Sequence, residues 1–342
     1  MSNGSSSSLP PLPTYTLRPI TPLFPFISDL YLSILIPNAV YWVCSLTFYC
    51  FDEWSIFQQY RVHPAGEADK KNTVSQWECL RGVVTNQIIQ ACIGLALGKL
   101  NGPDSTGMED YEIALWAVRI RAMLHSTLPS VLAIVGIDAI GVARKYASSK
   151  IFVNMEASLA SLIYWYLYPA FQYSMAICMA DTWQYFGHRL EHTIKWWYSM
   201  FSGFPPLLLL FQVTSDVRLL GTDGLKLSLE RVHYVHHTLY VPYAFGAMYT
   251  HPLEGLFLDT LGTILVLTLT GMSTRQAMCY GSFFSLKAVS DHGGYVFPWD
   301  PMRWVSANDA AFHALHHERF GLKVRFALPL RYEVGQVILE KN

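Results

Sequence analysis

The chain has 342 residues, of which 52% are apolar and 14% charged, against about 25% charged in soluble domains, so an ordinary water-soluble protein is excluded. A net charge of -1, no basic run longer than two residues and no Gly-rich phosphate loop exclude a nucleic-acid partner and a nucleotide-binding loop. The six cysteines (Cys44, Cys50, Cys79, Cys92, Cys178 and Cys279) form no C-x-x-C pair and read as reduced thiols of a core or a membrane interior.

Residues 1–26 are Ser- and Pro-rich, with no basic flank and no early apolar run, and read as a disordered lead-in rather than a cleavable signal peptide. Residues 27–180 read as membrane helices. Leu30–Phe51 is 22 residues without a charge, enough to cross a hydrocarbon core of about 30 Å, with Pro37 tolerated as a kink. Val83–Leu97 carries Asn86, Gln87 and Gln90 and reads as a short span or an interfacial helix. Leu128–Ala143 is apolar except for Asp138, and Leu159–Ala180 has the Tyr and Trp residues of an interfacially anchored span. Further on, Gly255–Leu269 and Met278–Val289 are each short for a span and read as a re-entrant hairpin. The predicted fold is thus an all-α integral membrane protein: a transmembrane bundle of about four spans plus a re-entrant hairpin, capped by helices. Orientation stays open. If all four upstream segments cross, the basic loops 52–82 and 144–150 share one side, and positive-inside reasoning puts the rest of the chain's chemistry in the lumen.

That chemistry lies in residues 181–323, which hold "HRLEH" at 188–192, "HYVHH" at 233–237 and "HALHH" at 313–317. Residues three and four apart share a helical face, so His188 pairs with His192, His233 with His236 and His237, and His313 with His316 and His317. One chance H-x-x-H-H in a chain with 12 histidines has a probability of roughly 1–2%, and two copies far less. His63 and His125 stand alone and read as ordinary histidines. Eight to ten imidazoles are too many for one tetrahedral zinc and suit two metal ions. The clusters directly follow an apolar helix, so the substrate at that membrane face is a lipid. Oxidising an unactivated alkyl chain needs activated oxygen, which points to iron.

At these clusters the sequence resembles the fatty-acid hydroxylase/sterol desaturase superfamily. The stretches "DTWQYFGHRLEH", "VHHTLYVPYAFGAMYTHPLEGLFLDTLGT" and "DHGGYVFPWDP" are similar to those of fungal sphinganine 4-hydroxylases, as are "YWVCSLTFYCFDEWSIFQQYRVH" and "EDYEIALWAVRIR". The resemblance implies a diiron monooxygenase of the endoplasmic reticulum membrane, multi-pass, its site facing the cytosol, against the parity argument above. It implies hydroxylation of carbon 4 of sphinganine or dihydroceramide with O2, with electrons from NAD(P)H through cytochrome b5 and its reductase. The implied ligands are His188, His192, His233, His236, His237, His313, His316 and His317. His292 is a further ligand, His251 is a ligand or a hydrogen-bonding neighbour, and Asp181, Glu254 and Asp291 are candidate supports for the rings.

The resemblance breaks over 202–230, an atypical insertion, and over 324–342, an atypical tail; "HALHH" also lacks the usual Asp after its first His. Translated introns account for both stretches, a genuine insertion with a divergent tail being the alternative. Two further readings stay open: a sterol C-4 methyl oxidase or desaturase, and a catalytically inactive scaffold.

Overall fold

The computed structural model describes residues 11–136, 138, 150–193, 229–305 and 309–318. The stretches 202–228 and 324–342, on which the insertion and tail readings rest, lie outside the described residues. In chain order the elements are β1 (Arg18–Pro19), α1 (Asp29–Glu53), α2 (Glu67–Lys71), α3 (Gln76–Asn101), β2 (Ser105–Thr106) and α4 (Glu109–Ile134). They continue with α5 (Lys150–Leu162), α6 (Tyr168–Thr193), α7 (Leu229–His237), α8 (Pro252–Thr270), α9 (Thr274–His292), α10 (Met302–Val305) and α11 (Ala310–Glu318). The fold is mostly helical, as periodicity predicts.

Three of these helices, α1, α3 and α8, are long and apolar enough to cross a membrane. The first matches expectation. The second extends well beyond Val83–Leu97, because a capping box of Ser75 and Glu78 starts it earlier. Its polar residues face protein: Asn86 is buried and donates from Nδ2 to the carbonyls of Thr250 (2.8 Å) and Met248 (3.2 Å), and Gln87 Oε1 accepts from Trp42 Nε1 at 3.0 Å. The third replaces the first limb of the expected re-entrant hairpin. Its 19 residues include π-type backbone over Gly255–Leu261, and Gly271, at φ 63°, ends it in the left-handed conformation that glycine adopts freely. The stretch 159–180 is helical throughout but is not among the three. It is divided between α5, a π-type turn over Ile163–Leu167 and α6, and its Tyr and Trp residues lower its hydropathy.

The chain divides into two compact units, one within Met1–Pro22 and Pro103–Ile177, the other within Leu23–Gly102 and Cys178–Asn342. In the first, β1 pairs antiparallel with β2, so the described part of the 1–26 lead-in is not without structure. There α4 is tied to α5 by Arg121, whose Nε donates to Glu156 Oε2 at 2.8 Å.

In the second unit α1 packs along α9, where a Cβ on Gly281 would stand 3.0 Å from Pro37. Helices α1 and α3 together grip residues 239–250. Tyr41, fully buried, donates from its hydroxyl to the carbonyl of Phe245 at 2.6 Å, and Tyr41, Cys79, Val83, Leu239, Ala244 and Val289 form the core there. The π-type backbone of α8 leaves the Leu258 carbonyl to accept from Trp183 Nε1 of α6 at 3.1 Å. Gly262 makes that approach possible, since a Cβ there would lie 2.5 Å from the Trp183 ring. Replacing Gly262 with alanine forces the ring to move, and overpacking of this kind costs about 1–3 kcal/mol. A Gly262→Ala chain in detergent is expected to unfold at a lower temperature than wild type; an unchanged melting temperature would show that the ring has room to yield.

Candidate metal centre

All the described cluster histidines lie in the second unit. Helix α6 carries His188, α7 carries His233, His236 and His237, the C-terminal end of α9 carries His292, and α11 carries His313, His316 and His317. The ligand nitrogens sort into two groups of four, each with all four atoms within 4.8 Å of one another: His188, His233, His237 and His316, then His236, His292, His313 and His317. The H-x-x-H-H segments therefore do not each serve one ion. In α7 the first and last histidines of the motif join the first group and His236 joins the second; in α11 His313 and His317 join the second and His316 the first. Helical spacing explains the split, because i and i+4 nearly superpose while i+3 lies across the stripe. The groups adjoin, the rings of His237 and His317 being 4.9 Å apart between centroids.

The tautomers follow from the partners. His236 Nδ1 lies 3.0 Å from the Tyr249 carbonyl and His292 Nδ1 2.8 Å from the Ala288 carbonyl. A carbonyl only accepts, so both rings carry their proton on Nδ1 and present a bare Nε2. Those two Nε2 atoms face each other at 3.5 Å. His233 Nδ1 is held by Glu254 Oε1 at 2.7 Å, and its Nε2 faces His237 Nε2 at 2.8 Å. The pairs His188–His316 and His313–His317 meet through Nε2 at 2.9 Å. Burial and the neighbouring imidazoles push His292 down to about 3 and hold His313 and His317 well below the usual histidine range. Between His236 and His292, whose protons both sit on Nδ1, lone pair therefore confronts lone pair with no proton between them. A shared Lewis acid resolves that repulsion. Imidazole nitrogens about 2.0–2.1 Å from one ion stand about 2.8–3.4 Å apart at octahedral or tetrahedral angles, close to the spacings here. The residues fit two metal ions.

Other site expectations divide. The side chain of His192 lies outside the described residues. His251 stands in neither group: burial pushes it down to about 4, its Nδ1 accepts from the Leu253 N–H at 3.2 Å, and its proton therefore sits on Nε2. Of the two roles open to His251, ligand or hydrogen-bonding neighbour, its Nδ1 takes the second, towards the Leu253 N–H. Glu254 holds His233, whereas Asp291 instead pairs with Lys287 at 2.5 Å and Asp181 is exposed. Sequence reasoning missed Glu191, 1% exposed, with an oxygen 3.3 Å from His233 Nδ1. Burial, with Asp259 nearby, pushes it up to about 8. Its place three residues after His188 in "HRLEH", on the same face, was the available signal.

Residues 224–332 match the fatty acid hydroxylase family, reaching into both atypical stretches. The chain is 33% identical over 319 residues to the sphingolipid C4-hydroxylase of Saccharomyces cerevisiae, covering 93% of this chain and 73% of the relative. It is 32% identical to the sphingolipid C4-hydroxylase of Schizosaccharomyces pombe, covering 87% and 83%. The chain belongs to the sphingolipid C4-hydroxylase family. A third member, sphinganine C4-monooxygenase 2 of Arabidopsis thaliana, is 29% identical, covering 89% and 84%. No solved structure matches. Family membership makes the chain an oxidoreductase, and the site's chemistry agrees with a metal-dependent one.

The purified protein is expected to carry close to two transition-metal ions per chain. His237→Ala thins only the first group and His317→Ala only the second, so each is expected to fall towards one ion by elemental analysis. Folded variants that keep the wild-type metal content would refute the grouping.

Proposed function

We propose that this protein hydroxylates carbon 4 of sphinganine, or of the same base in dihydroceramide, to give phytosphingosine-type lipids. The stoichiometry is one O2, two electrons and two protons per substrate, yielding the alcohol and water. NAD(P)H supplies the electrons through cytochrome b5 and its reductase. The protein works in the endoplasmic reticulum membrane with the histidine cap towards the cytosol. The observation that carries the reading is the pair of four-imidazole groups with facing ring nitrogens, in a chain whose relatives are named for C4-hydroxylation.

In this reading His188, His233, His237 and His316 hold one iron and His236, His292, His313 and His317 the other. His192 joins the first set on its four-residue spacing from His188 alone. The bound irons would supply the activation of O2 that an unactivated C–H bond requires. The chain's own residues do the rest. The carbonyls of Tyr249 and Ala288 keep the Nδ1 protons of His236 and His292 in place and so aim their Nε2 atoms inward, and Glu254 Oε1, 2.7 Å from His233 Nδ1, fixes that ring's orientation. The burial of His237, His316 and His317, each 2% exposed or less, keeps bulk water from the reacting centre. Helices α1 and α3, by gripping residues 239–250, fix the end of α7 that carries His236 and His237.

The test is a long-chain-base profile of a host lacking its own 4-hydroxylase and expressing this chain, where 4-hydroxylated bases are expected to appear. His316→Ala is expected to lower them at least about 100-fold, since losing a ligand costs more than the about 10–100-fold typical of losing a residue that supports one, and to lower iron content. His125→Ala, in α4 with no histidine three or four residues away, is expected to retain most of the activity. Absence of 4-hydroxylated product from the folded, iron-loaded protein would sink the reading.

A further inference from the structure

Three exposed tryptophans stand on one side of the second unit. Trp54 directly follows α1 and is 70% exposed, Trp77 lies in the first turn of α3 and is 69% exposed, and Trp299, in the segment after α9, is 58% exposed. Residues 54–75 join α1 to α3, so the end of α1 and the start of α3 lie on the same side of a membrane that both helices cross. Helix α9 packs along α1, and the two helices end together. Tyr295 Oη donates to Asp52 Oδ1 at 2.7 Å, and a Cβ on Gly293, the residue after His292, would stand 2.8 Å from the Phe48 ring. Trp299 therefore joins Trp54 and Trp77 on that side.

A packed aromatic body supports this edge. Tyr295 stacks on Phe297 at 5.8 Å and Phe297 on Trp299 at 5.6 Å between ring centroids. Tyr60 meets the Trp299 ring edge-on at 5.1 Å, and Phe57, itself exposed, meets Phe297 at 5.5 Å. The Val296 N–H donates to the Tyr60 carbonyl at 2.8 Å and the Val62 N–H to the Gly294 carbonyl at 2.9 Å, so the two loops are tied together. Neither water nor hydrocarbon suits the result. In water the three indoles and Phe57 would be large apolar surface gathered on one side of the molecule. In hydrocarbon the indole N–H groups would lack acceptors, since no described residue accepts from Trp54, Trp77 or Trp299. Their neighbours also limit the depth: Asp52 and Glu53 precede Trp54, Gln76 and Glu78 flank Trp77, and Asp300 follows Trp299.

We infer that this aromatic edge, made of Trp54, Phe57, Trp77 and Trp299, rests in the head-group layer of the bilayer, and that the segment after His292 is thereby seated on lipid rather than surrounded by water. An indole in that layer keeps its ring on acyl chain and its N–H in water. The occupant is the bilayer because the edge continues directly from helices long and apolar enough to cross it. The inference goes beyond the reaction proposed above and does not depend on it. It also sets a depth for the metal centre. Gly293 lies against Phe48, within α1, so His292 sits at the level of the last turns of a crossing helix and not on a cap standing clear of the membrane.

The test reconstitutes the full, metal-loaded chain into phosphatidylcholine vesicles and reads tryptophan fluorescence. Trp54→Phe, Trp77→Phe and Trp299→Phe each keep an aromatic ring, and the emission of each tryptophan is the difference between wild type and variant. Three quenchers report its depth: phosphatidylcholine brominated near the head-group end of its acyl chains, phosphatidylcholine brominated at the chain ends, and aqueous iodide. Bromine near the head groups is expected to remove most of the emission of all three residues, and the other two quenchers much less. Strong quenching by iodide with none from either lipid would place the edge in water and overturn the inference. Strongest quenching by chain-end bromine would place it in hydrocarbon and overturn it equally. Iodide quenching of Trp299 alone would overturn it for the segment after His292. Wild type supplies a second measurement that no misfolded variant can spoil. A phosphatidylcholine carrying a photoactivated diazirine on its head group is expected to label peptides containing Trp54, Trp77 and Trp299, as read by mass spectrometry. Absence of label from all three would overturn the inference.

Discussion

The arrangement depends on one electrostatic constraint: imidazole nitrogens whose protons are committed elsewhere are made to face each other. The carbonyls of Tyr249 and Ala288 each take an Nδ1 proton, and what remains between His236 and His292 is lone pair against lone pair at 3.5 Å. In a buried, low-dielectric site this repulsion is not screened, and protonation is itself opposed by burial, as the strong downward shift of His292 expresses. A cation relieves both at once. The fold supplies the geometry by packing four separate helical pieces against one another, and each of those pieces needs its own anchor.

Those anchors explain the polar residues inside the apolar helices. Asn86 and Tyr41 hold backbone carbonyls of residues 245–250. A buried carbonyl in that irregular stretch would otherwise lack a partner, at a penalty of about 1–3 kcal/mol. Asn86, with Gln87 and Gln90, left α3 reading as a short span or an interfacial helix. Hydropathy counts a side chain without knowing what it meets, and an amide that meets protein carbonyls is no obstacle to burial within a bundle.

Much of the centre was legible because imidazole is rare and helical geometry is regular. Three tight clusters announced metal ligation, and periodicity put each cluster on one face. Periodicity could not divide a cluster between two ions, since that depends on which helices face it. His292 is a single histidine with no helical partner and entered only through resemblance. Glu191 stood inside the first motif, yet a carboxylate beside histidines on a helix is unremarkable until its burial against His233 is seen. His251 lies in a motif shared with the family, and only the structure shows its Nδ1 turned to the Leu253 N–H.

The position of the centre also follows from the substrate chemistry the family performs. A carbon close to a lipid's polar head cannot be carried deep into hydrocarbon without dragging the head along, and burying a charged head there is prohibitive without partners. A site for such a carbon must lie where spanning helices end and polar loops begin. The histidine groups sit at such ends: His292 closes α9, His236 and His237 close α7, and Glu254, which holds His233, lies in the first turn of α8, a helix long and apolar enough to span. Placing ligands at helix ends has a further consequence. Glu254, in the first turn of α8, reaches the His233 ring in α7, so the orientation of an inward-facing imidazole is coupled directly to the seating of a helix long and apolar enough to cross a membrane. The packing that seats that helix thereby also helps to hold the His233 ring.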